Sequence, residues 1–289
     1  MEKFNILDLK KLYVSSKDSH KGQNGKLLLI GGSRLFHAAS LWSLQVASRI
    51  VDMVFYASVP ENNAIVQSTK EEFRNGIVIP RSKIDSYIEE ADCILIGPGL
   101  PRKEGQEEGE EDTKELTENL LKKYPNKKWV IDGGSLQVID LSFIPSNAIL
   151  TPHFKELEKL FSDVIPNSFR DPVHEGSEML KQVQHDIVGK MAKKYSCVIL
   201  LKGETDVVCS QEYCVRVSGG NAGMTKGGTG DVLSGLVAAL NCKNDPFLAA
   251  AAGSFINKKA GESLYQKVGL YFNASDLADE IPKVMKELI

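Results

Sequence analysis

Short apolar runs alternate along this chain with longer segments of helical periodicity, and this alternation restricts the possible folds more than any other feature. Continuous apolar runs suit strands that are buried on both faces. Strands that alternate with helices favour a mostly parallel sheet covered by helices on both faces. The sequence therefore predicts an α/β protein with strands at 27–30, 53–59, 93–96, 129–131, 148–150 and 197–201, and helices at 38–50, 84–90, 113–123, 154–161 and 178–195.

Two further apolar segments, 207–209 and 213–217, flank a short polar turn and predict an antiparallel hairpin at one edge of the sheet. The remainder of the chain has a helical pattern, with helices predicted at 231–241, 246–265 and 274–288. Because the sequence has no internal repeat and no linker composition, we expect residues 1–289 to form a single domain.

Special loops follow five of the predicted strands directly. Ligands of open α/β sheets bind beyond the carboxyl ends of the strands, so loops of this kind predict one long site along a single edge. The five loops are Gly31-Gly32-Ser33, Gly97-Pro98-Gly99, Asp132-Gly133-Gly134, Thr151-Pro152-His153 and Lys202-Gly203.

A glycine-rich segment, residues 219–231, runs into an apolar helical stretch. Glycines let backbone amides approach a ligand closely, and the start of a helix adds unpaired N–H groups and positive potential. This combination predicts an anion hole suited to phosphate. A carboxylate in such a hole repels phosphate unless it accepts a proton from the attacking group, so Asp231 is predicted to be the general base of a phosphoryl transfer. The segment matches neither a Walker A loop nor a Rossmann fingerprint.

Composition excludes several classes of function. A net charge of −3 and a pI of about 6.0 argue against a nucleic-acid partner. The N-terminus lacks the features of a signal peptide, and no apolar run is long enough to span a membrane, so we expect a cytoplasmic protein. The cysteines have no C-x-x-C spacing and are expected to be buried, reduced thiols: Cys93, Cys197, Cys209, Cys214 and Cys242.

Five motifs, in order, give the chain a resemblance to one family. They are Gly25-Lys26-Leu27-Leu28-Leu29-Ile30-Gly31-Gly32-Ser33, Gly97-Pro98-Gly99-Leu100, Leu150-Thr151-Pro152-His153 with Glu156, Lys202-Gly203, and Gly223-Met224 followed by Gly227-Gly228-Thr229-Gly230-Asp231-Val232-Leu233-Ser234-Gly235. Together they resemble the NAD(P)H-hydrate dehydratases, over roughly residues 22 to 285. The resemblance implies a ribokinase-like three-layer fold, with a mostly parallel central sheet and helices on both faces.

The resemblance also implies a reaction. Members of this family dehydrate the 6S epimer of hydrated NADH or NADPH, with ADP or ATP as phosphoryl donor and Mg²⁺. The implied catalytic residue is Asp231, and the substrate site would contain Ala39, Gly99, His153 and Asp231. The implied nucleotide site consists of Lys202, Gly203, Glu204, Thr205, Gly227, Gly228, Thr229 and Gly230. The metal ligands stay unassigned, and we expect a homo-oligomer.

Two positions depart from the family's pattern. Ala38-Ala39 stands where the family often has Gly-Ala, and Asp132-Gly133-Gly134-Ser135-Leu136 stands for its usual D-A-D-A-L, with only the first aspartate kept. Two other functions stay open: a ribokinase-like kinase of a small alcohol such as a vitamin precursor, and an inactive nucleotide-binding regulatory protein. The acidic segment 103–112 is interpreted as a surface loop or a lid over the site, and 166–175 as an insertion.

Overall fold

The computed structural model describes residues 2–68, 75–102, 111–162 and 178–289, with side chains of the last range described from residue 186. The predicted insertion at 166–175 and most of the acidic segment 103–112 lie outside these ranges. The described strands are β1 (Glu2–Lys3), β2 (Lys26–Ile30), β3 (Met53–Ala57), β4 (Ile77–Ile79), β5 (Cys93–Ile96), β6 (Lys128–Ile131), β7 (Ile149–Leu150), β8 (Val198–Leu201), β9 (Asp206–Cys209) and β10 (Cys214–Val217).

These ten strands form one sheet in the order β1-β10-β9-β8-β7-β6-β5-β2-β3-β4. Neighbours pair in parallel except where β9 meets β8 and β10, so β9 alone among the described strands runs against the rest. The carboxyl ends of the parallel strands therefore meet at a single edge, as the sequence predicts.

Helices cover both faces of the sheet. Those described are α1 (His37–Ala47), α2 (Pro60–Ser68), α3 (Ile84–Glu90), α4 (Thr113–Lys123), α5 (Gly133–Val138), α6 (Phe154–Leu160), α7 (Glu178–Lys194), α8 (Thr229–Asn241), α9 (Pro246–Val268) and α10 (Ala274–Leu288). Short 3-10 helices lie at Ile6–Lys11, Arg81–Lys83, Leu141–Phe143 and Ala222–Thr225.

Alternate side chains of each strand point to opposite faces, which divides the core in two. In β2, Leu27 and Leu29 face the helices α1, α8, α9 and α10, whereas Leu28 and Ile30 face α3 to α7. Apolar residues on both faces of a strand explain why the runs in the sequence are continuous. The predicted arrangement of a mostly parallel sheet between two helical layers is confirmed.

The prediction of reduced thiols is wrong for two of the five cysteines. Cys209 and Cys214 form a disulfide because the hairpin register places them opposite each other on β9 and β10. Their Cα atoms are 4.1 Å apart, and facing residues on antiparallel strands bring their Cβ atoms within reach of an S–S bond. Cys93, Cys197 and Cys242 are buried free thiols, as predicted.

Candidate active site

Two cavities lie side by side along the carboxyl edge of the sheet. The first has a volume of about 880 Å³ and the second about 930 Å³. His153 lines both, and Asp231 in the wall of the first is adjacent in sequence to Gly230 in the wall of the second. The two cavities therefore share a boundary built from His153 and the start of α8.

The first cavity brings together the residues assigned to the substrate. Ala39, Gly99, His153 and Asp231 all line it, although they come from four separate segments of the chain. Glycine is required in this wall, because Gly99 has a φ of +71° and a Cβ there would lie 2.4 Å from the carbonyl oxygen of Phe36. The tight loops of this edge thus pack backbone against backbone, with no space for side chains.

The second cavity contains most of the residues assigned to the nucleotide. Its wall includes Lys202, Gly203, Glu204 and Thr205, together with Thr229 and Gly230. The remaining two assigned residues, Gly227 and Gly228, lie outside this lining. A side chain at Gly227 would meet open space, with no heavy atom within 4 Å.

Within the glycine-rich segment, Gly228 is the N-cap of α8 and has a φ of +93°. A Cβ at this position would lie 2.4 Å from ring carbons of Trp42. Glycine is therefore required at 228 both by the left-handed backbone and by the packing of α1 on the helix start. The amides that α8 leaves unpaired begin here, as the sequence predicts for an anion hole.

Asp231 lies in the first turn of α8, and its environment changes its acidity. Burial and, after it, the negative charge of Asp132 raise the pKa of the Asp231 carboxyl to about 7, against the opposing effect of Lys202. A carboxyl with a pKa near the pH of the cell can accept a proton and still be regenerated in each cycle. This is the electrostatic setting that a general base needs.

Lys202 makes a contact that the sequence analysis did not foresee. Its Nζ lies 3.0 Å from Oδ1 of Asp132, and the aspartate is almost fully buried. Burial alone would lower the pKa of Lys202, but the charges of Asp132, Glu156 and Asp231 raise it, so the lysine stays protonated. The retained Asp132 therefore positions Lys202 beside the base.

His153 begins α6 with a reciprocal cap. Its Nδ1 accepts a hydrogen bond from the backbone N–H of Glu156 at 3.1 Å, and Oε2 of Glu156 accepts from the backbone N–H of His153 at 2.9 Å. Because Nδ1 is an acceptor, the neutral ring carries its proton on Nε2. A parallel bridge pairs His153 with Lys202, which fixes these two residues next to each other at the cavity boundary.

A buried ion pair holds the loop at 203–206, which contains three of the residues assigned to the nucleotide. Lys258 on α9 lies 3.2 Å from Oδ1 of Asp206 and donates to the carbonyl oxygens of Gly203 and Glu204, each at 3.0 Å. Asp206 in turn accepts from the backbone N–H of Gly203 at 2.8 Å and from the hydroxyl of Ser254 at 2.7 Å. No signal in the sequence had singled out Asp206 or Lys258, because they lie about fifty residues apart.

Two side chains of the glycine-rich segment have structural contacts. The hydroxyl of Thr229 lies within hydrogen-bond distance of the carbonyl oxygens of Met224 and Lys226, at 2.6 and 2.9 Å. Lys226 is exposed, but its ammonium group is engaged by the backbone. Its Nζ donates to the carbonyl oxygens of Leu270 and Phe272 and so fixes the loop before α10.

Within the described ranges, no group of three or more His, Cys, Asp or Glu side chains is arranged to hold a metal ion. In the same ranges, no helix is long and apolar enough to cross a bilayer.

The strand order and the two helical layers form a ribokinase-like fold. A model of the NAD(P)H-hydrate dehydratase family matches residues 27–283, and the chain belongs to this family. The family and fold predicted from the sequence are both confirmed.

Two relatives and one solved structure illustrate the match. The chain is 35% identical to the bifunctional NAD(P)H-hydrate repair enzyme of Methanocaldococcus jannaschii, over 96% of this chain and 52% of that protein, so it spans about half the length of such bifunctional relatives. It is 34% identical to the ADP-dependent (S)-NAD(P)H-hydrate dehydratase of Nitrosopumilus maritimus, over 96% of this chain and 94% of that protein. The ADP/ATP-dependent NAD(P)H-hydrate dehydratase of Bacillus subtilis, co-crystallised with ATP/Mg²⁺, has a TM-score of 0.80 at 22% identity and covers 100% of this chain and 99% of that chain.

Proposed function

We propose that this chain dehydrates the 6S epimers of hydrated NADH and NADPH, with ADP or ATP as phosphoryl donor. The products are NADH or NADPH, phosphate, and AMP from ADP or ADP from ATP. Membership of the family and the names of the relatives support the reaction class. The two adjoining cavities support a reaction that joins two large ligands.

The position of Asp231 is the observation that carries the proposal. Its side chain lines the first cavity, while the backbone of the preceding residue, Gly230, lines the second. A base at this boundary can take a proton from a ligand in one cavity as that ligand attacks a phosphate in the other. The pKa of about 7, which burial produces, suits this transfer.

In the proposed mechanism, hydroxide is too poor a leaving group to depart from the ring directly. Asp231 accepts the proton of the ring hydroxyl, whose oxygen forms a bond to the terminal phosphorus of the nucleotide as the bond to the bridging oxygen breaks. The lone pair of the ring nitrogen then expels phosphate, and loss of a proton from the neighbouring carbon restores the ring double bond. Backbone amides at the start of α8 stabilise the charge of the transferring group.

The proposed Mg²⁺ would be bound chiefly by the phosphates of the nucleotide. When bound, it would neutralise part of their negative charge. Lys202 is suited to the same purpose, because the ion pair with Asp132 keeps the lysine protonated.

The two other candidate functions predict different products. A kinase of a small alcohol would release a stable phosphorylated product, and an inactive regulatory protein would bind nucleotide without turnover. Asp231 lies in a cavity wall, and its raised pKa suits a general base. Both observations argue against an inactive protein. A homo-oligomeric state and a cytoplasmic location stay predictions.

The test is a turnover assay with purified protein, hydrated NADH and either ADP or ATP. We expect the absorbance of reduced nicotinamide to return, with release of one phosphate for each NADH formed. Accumulation of a phosphorylated ligand without NADH would identify a kinase instead. Hydrated NADH without nucleotide is the control.

A further inference from the structure

Three cationic side chains line the first cavity and are unused by the proposed mechanism. Arg102 follows the loop at the end of β5, and Lys155 and Lys159 lie on α6. The two lysines are four residues apart, so they project from the same face of that helix, one turn from each other. All three residues are exposed, and none lines the second cavity.

The charges of these three residues are not neutralised within the described part of the chain. None of them is within ion-pair distance of a carboxylate there. By contrast, the two lysines of the second cavity are paired, Lys202 with Asp132 and Lys258 with Asp206.

Glu156 lies between the two lysines in sequence and also lines the first cavity. Its side chain is buried, with Oε1 accepting from Nε2 of Gln137 at 2.8 Å and Oε2 accepting from the backbone N–H of His153 at 2.9 Å. Both carboxylate oxygens of Glu156 are thus engaged by Gln137 and His153, and neither is within ion-pair distance of Lys155 or Lys159.

The wall of this cavity combines two kinds of chemistry. Asp231, next in sequence to Gly230 of the second cavity, lines it, and as a general base it needs an uncharged hydroxyl group as its partner. Unpaired guanidinium and ammonium groups favour phosphate, to which arginine presents a fork of N–H donors and lysine a compact charge. A hydrated dinucleotide has both features, a neutral hydroxylated ring and a diphosphate bridge, and its NADPH form has a further phosphate on ribose.

We propose that Arg102, Lys155 and Lys159 form a phosphate-binding rim that holds the phosphate groups of the hydrated dinucleotide while its ring lies at Asp231. This inference rests on the proposed function. The rim makes the cavity selective for a phosphorylated substrate over a small neutral alcohol, because the alcohol would leave the three charges without a partner.

The test measures KM and kcat for hydrated NADH, hydrated NADPH and ADP in Arg102→Gln and in the double variant K155Q/K159Q. Lys193→Gln is the matched control, since it removes the same charge from an exposed position at the end of α7. We expect KM for at least one hydrated dinucleotide to rise by roughly tenfold to a hundredfold in each rim variant, since hydrogen bonds between charged groups are lost. The values of kcat and of KM for ADP should stay close to those of the control.

The two substrates distinguish the phosphates. An equal rise for both dinucleotides assigns the rim to the diphosphate bridge, and a rise for hydrated NADPH alone assigns it to the ribose phosphate. The proposal is overturned if KM for both dinucleotides matches that of the control, or if the main change is in KM for ADP.

A binding measurement separates failure of the rim from failure of the proposed function. Fluorescence titration of NADPH in the presence of saturating ADP requires no turnover. If the wild-type protein binds NADPH without dehydrating its hydrate, the proposed function fails, and weaker binding by the rim variants still supports the rim. Equal NADPH binding by the wild-type protein and the rim variants overturns the proposal of a phosphate-binding rim.

Discussion

The acidity of Asp231 leads to a prediction about the dependence of the reaction on pH. The pKa of this carboxyl is raised to about 7, mainly by burial and then by the charge of Asp132. A base with this pKa is ionised to about 10% at pH 6 and to about 90% at pH 8, so kcat/KM for the hydrated dinucleotide should rise roughly tenfold across this interval. An aspartate of ordinary acidity would be fully ionised throughout and would give no such rise.

The assay follows the return of reduced nicotinamide at fixed saturating nucleotide, with initial rates corrected for the reaction without enzyme at each pH. Asp231→Asn should lose about 10²- to 10⁴-fold in rate and should also lose the dependence on pH. Nucleotide binding by this variant should persist, since the amides at the start of α8 are unchanged. A wild-type rate that is constant between pH 6 and pH 8, or an Asp231→Asn variant with a near-normal rate, would refute the assignment of Asp231 as the base.

Four further predictions follow from the contacts of the site. Asp132→Asn should move the rising limb of the pH profile to lower pH, because a negative charge that raises the pKa of Asp231 is removed. Lys202→Ala should move the same limb to higher pH and weaken nucleotide binding, measured as KM for ADP; unchanged values of both would exclude a role for its charge. His153→Ala should raise KM for both ligands, because His153 lines both cavities, and should lower the free energy of unfolding by about 1 kcal/mol through loss of the cap. Asp231→Asn should raise Tm at pH 8 relative to wild type and leave Tm nearly unchanged at pH 4; a lower Tm at pH 8 would contradict the burial argument.

The sign of the last prediction follows from linkage between protonation and folding. The pKa of Asp231 is raised in the folded state, from 3.8 to about 7. The folded protein therefore binds more protons than the unfolded chain between these values, and stability falls as pH rises from about 4 to about 7. Above pH 7 the cost of the buried charge is fully present, and asparagine at this position removes it.

The sequence was sufficient to predict eight of the ten described strands and most of the helices. Helices α3, α4 and α10 begin and end as predicted, as does β5. Strands buried on both faces give continuous apolar runs, and these are easy to detect. The pattern did not reveal α2 or β4, because Pro60–Ser68 is largely polar and Ile77–Ile79 is a very short edge strand.

Local motifs in the sequence selected residues that the structure places together in one cavity wall. The loops with Gly99, His153 and Asp231 were found because glycine, proline and a helix start have distinct sequence patterns. The sequence analysis assigned His153 to the substrate alone, but His153 lies at the boundary of two cavities. That position depends on the pairing of β7 with β8, and no local sequence pattern encodes this pairing.

Contacts between distant segments were not predictable. The Lys202–Asp132 and Lys258–Asp206 pairs join residues that are brought together only by the strand order and by the packing of α9. The Cys209–Cys214 disulfide was missed for a different reason. Its two residues are close in sequence, but their partnership depends on the register of the hairpin, which the lengths of the apolar runs did not fix.

The ion pair between Lys258 and Asp206 has a consequence for how the protein opens. It joins the loop at 203–206 to the middle of α9, a helix of 23 residues with an extensively buried face. Separating a buried ion pair leaves an uncompensated charge, so local opening of this loop alone is costly. The loop should therefore unfold together with α9, and the amide of Gly203 should exchange its hydrogen with solvent as slowly as the amides of that helix. A ligand of the second cavity, such as the proposed nucleotide, would then have to enter and leave through its other walls, while the loop at 203–206 stays fixed.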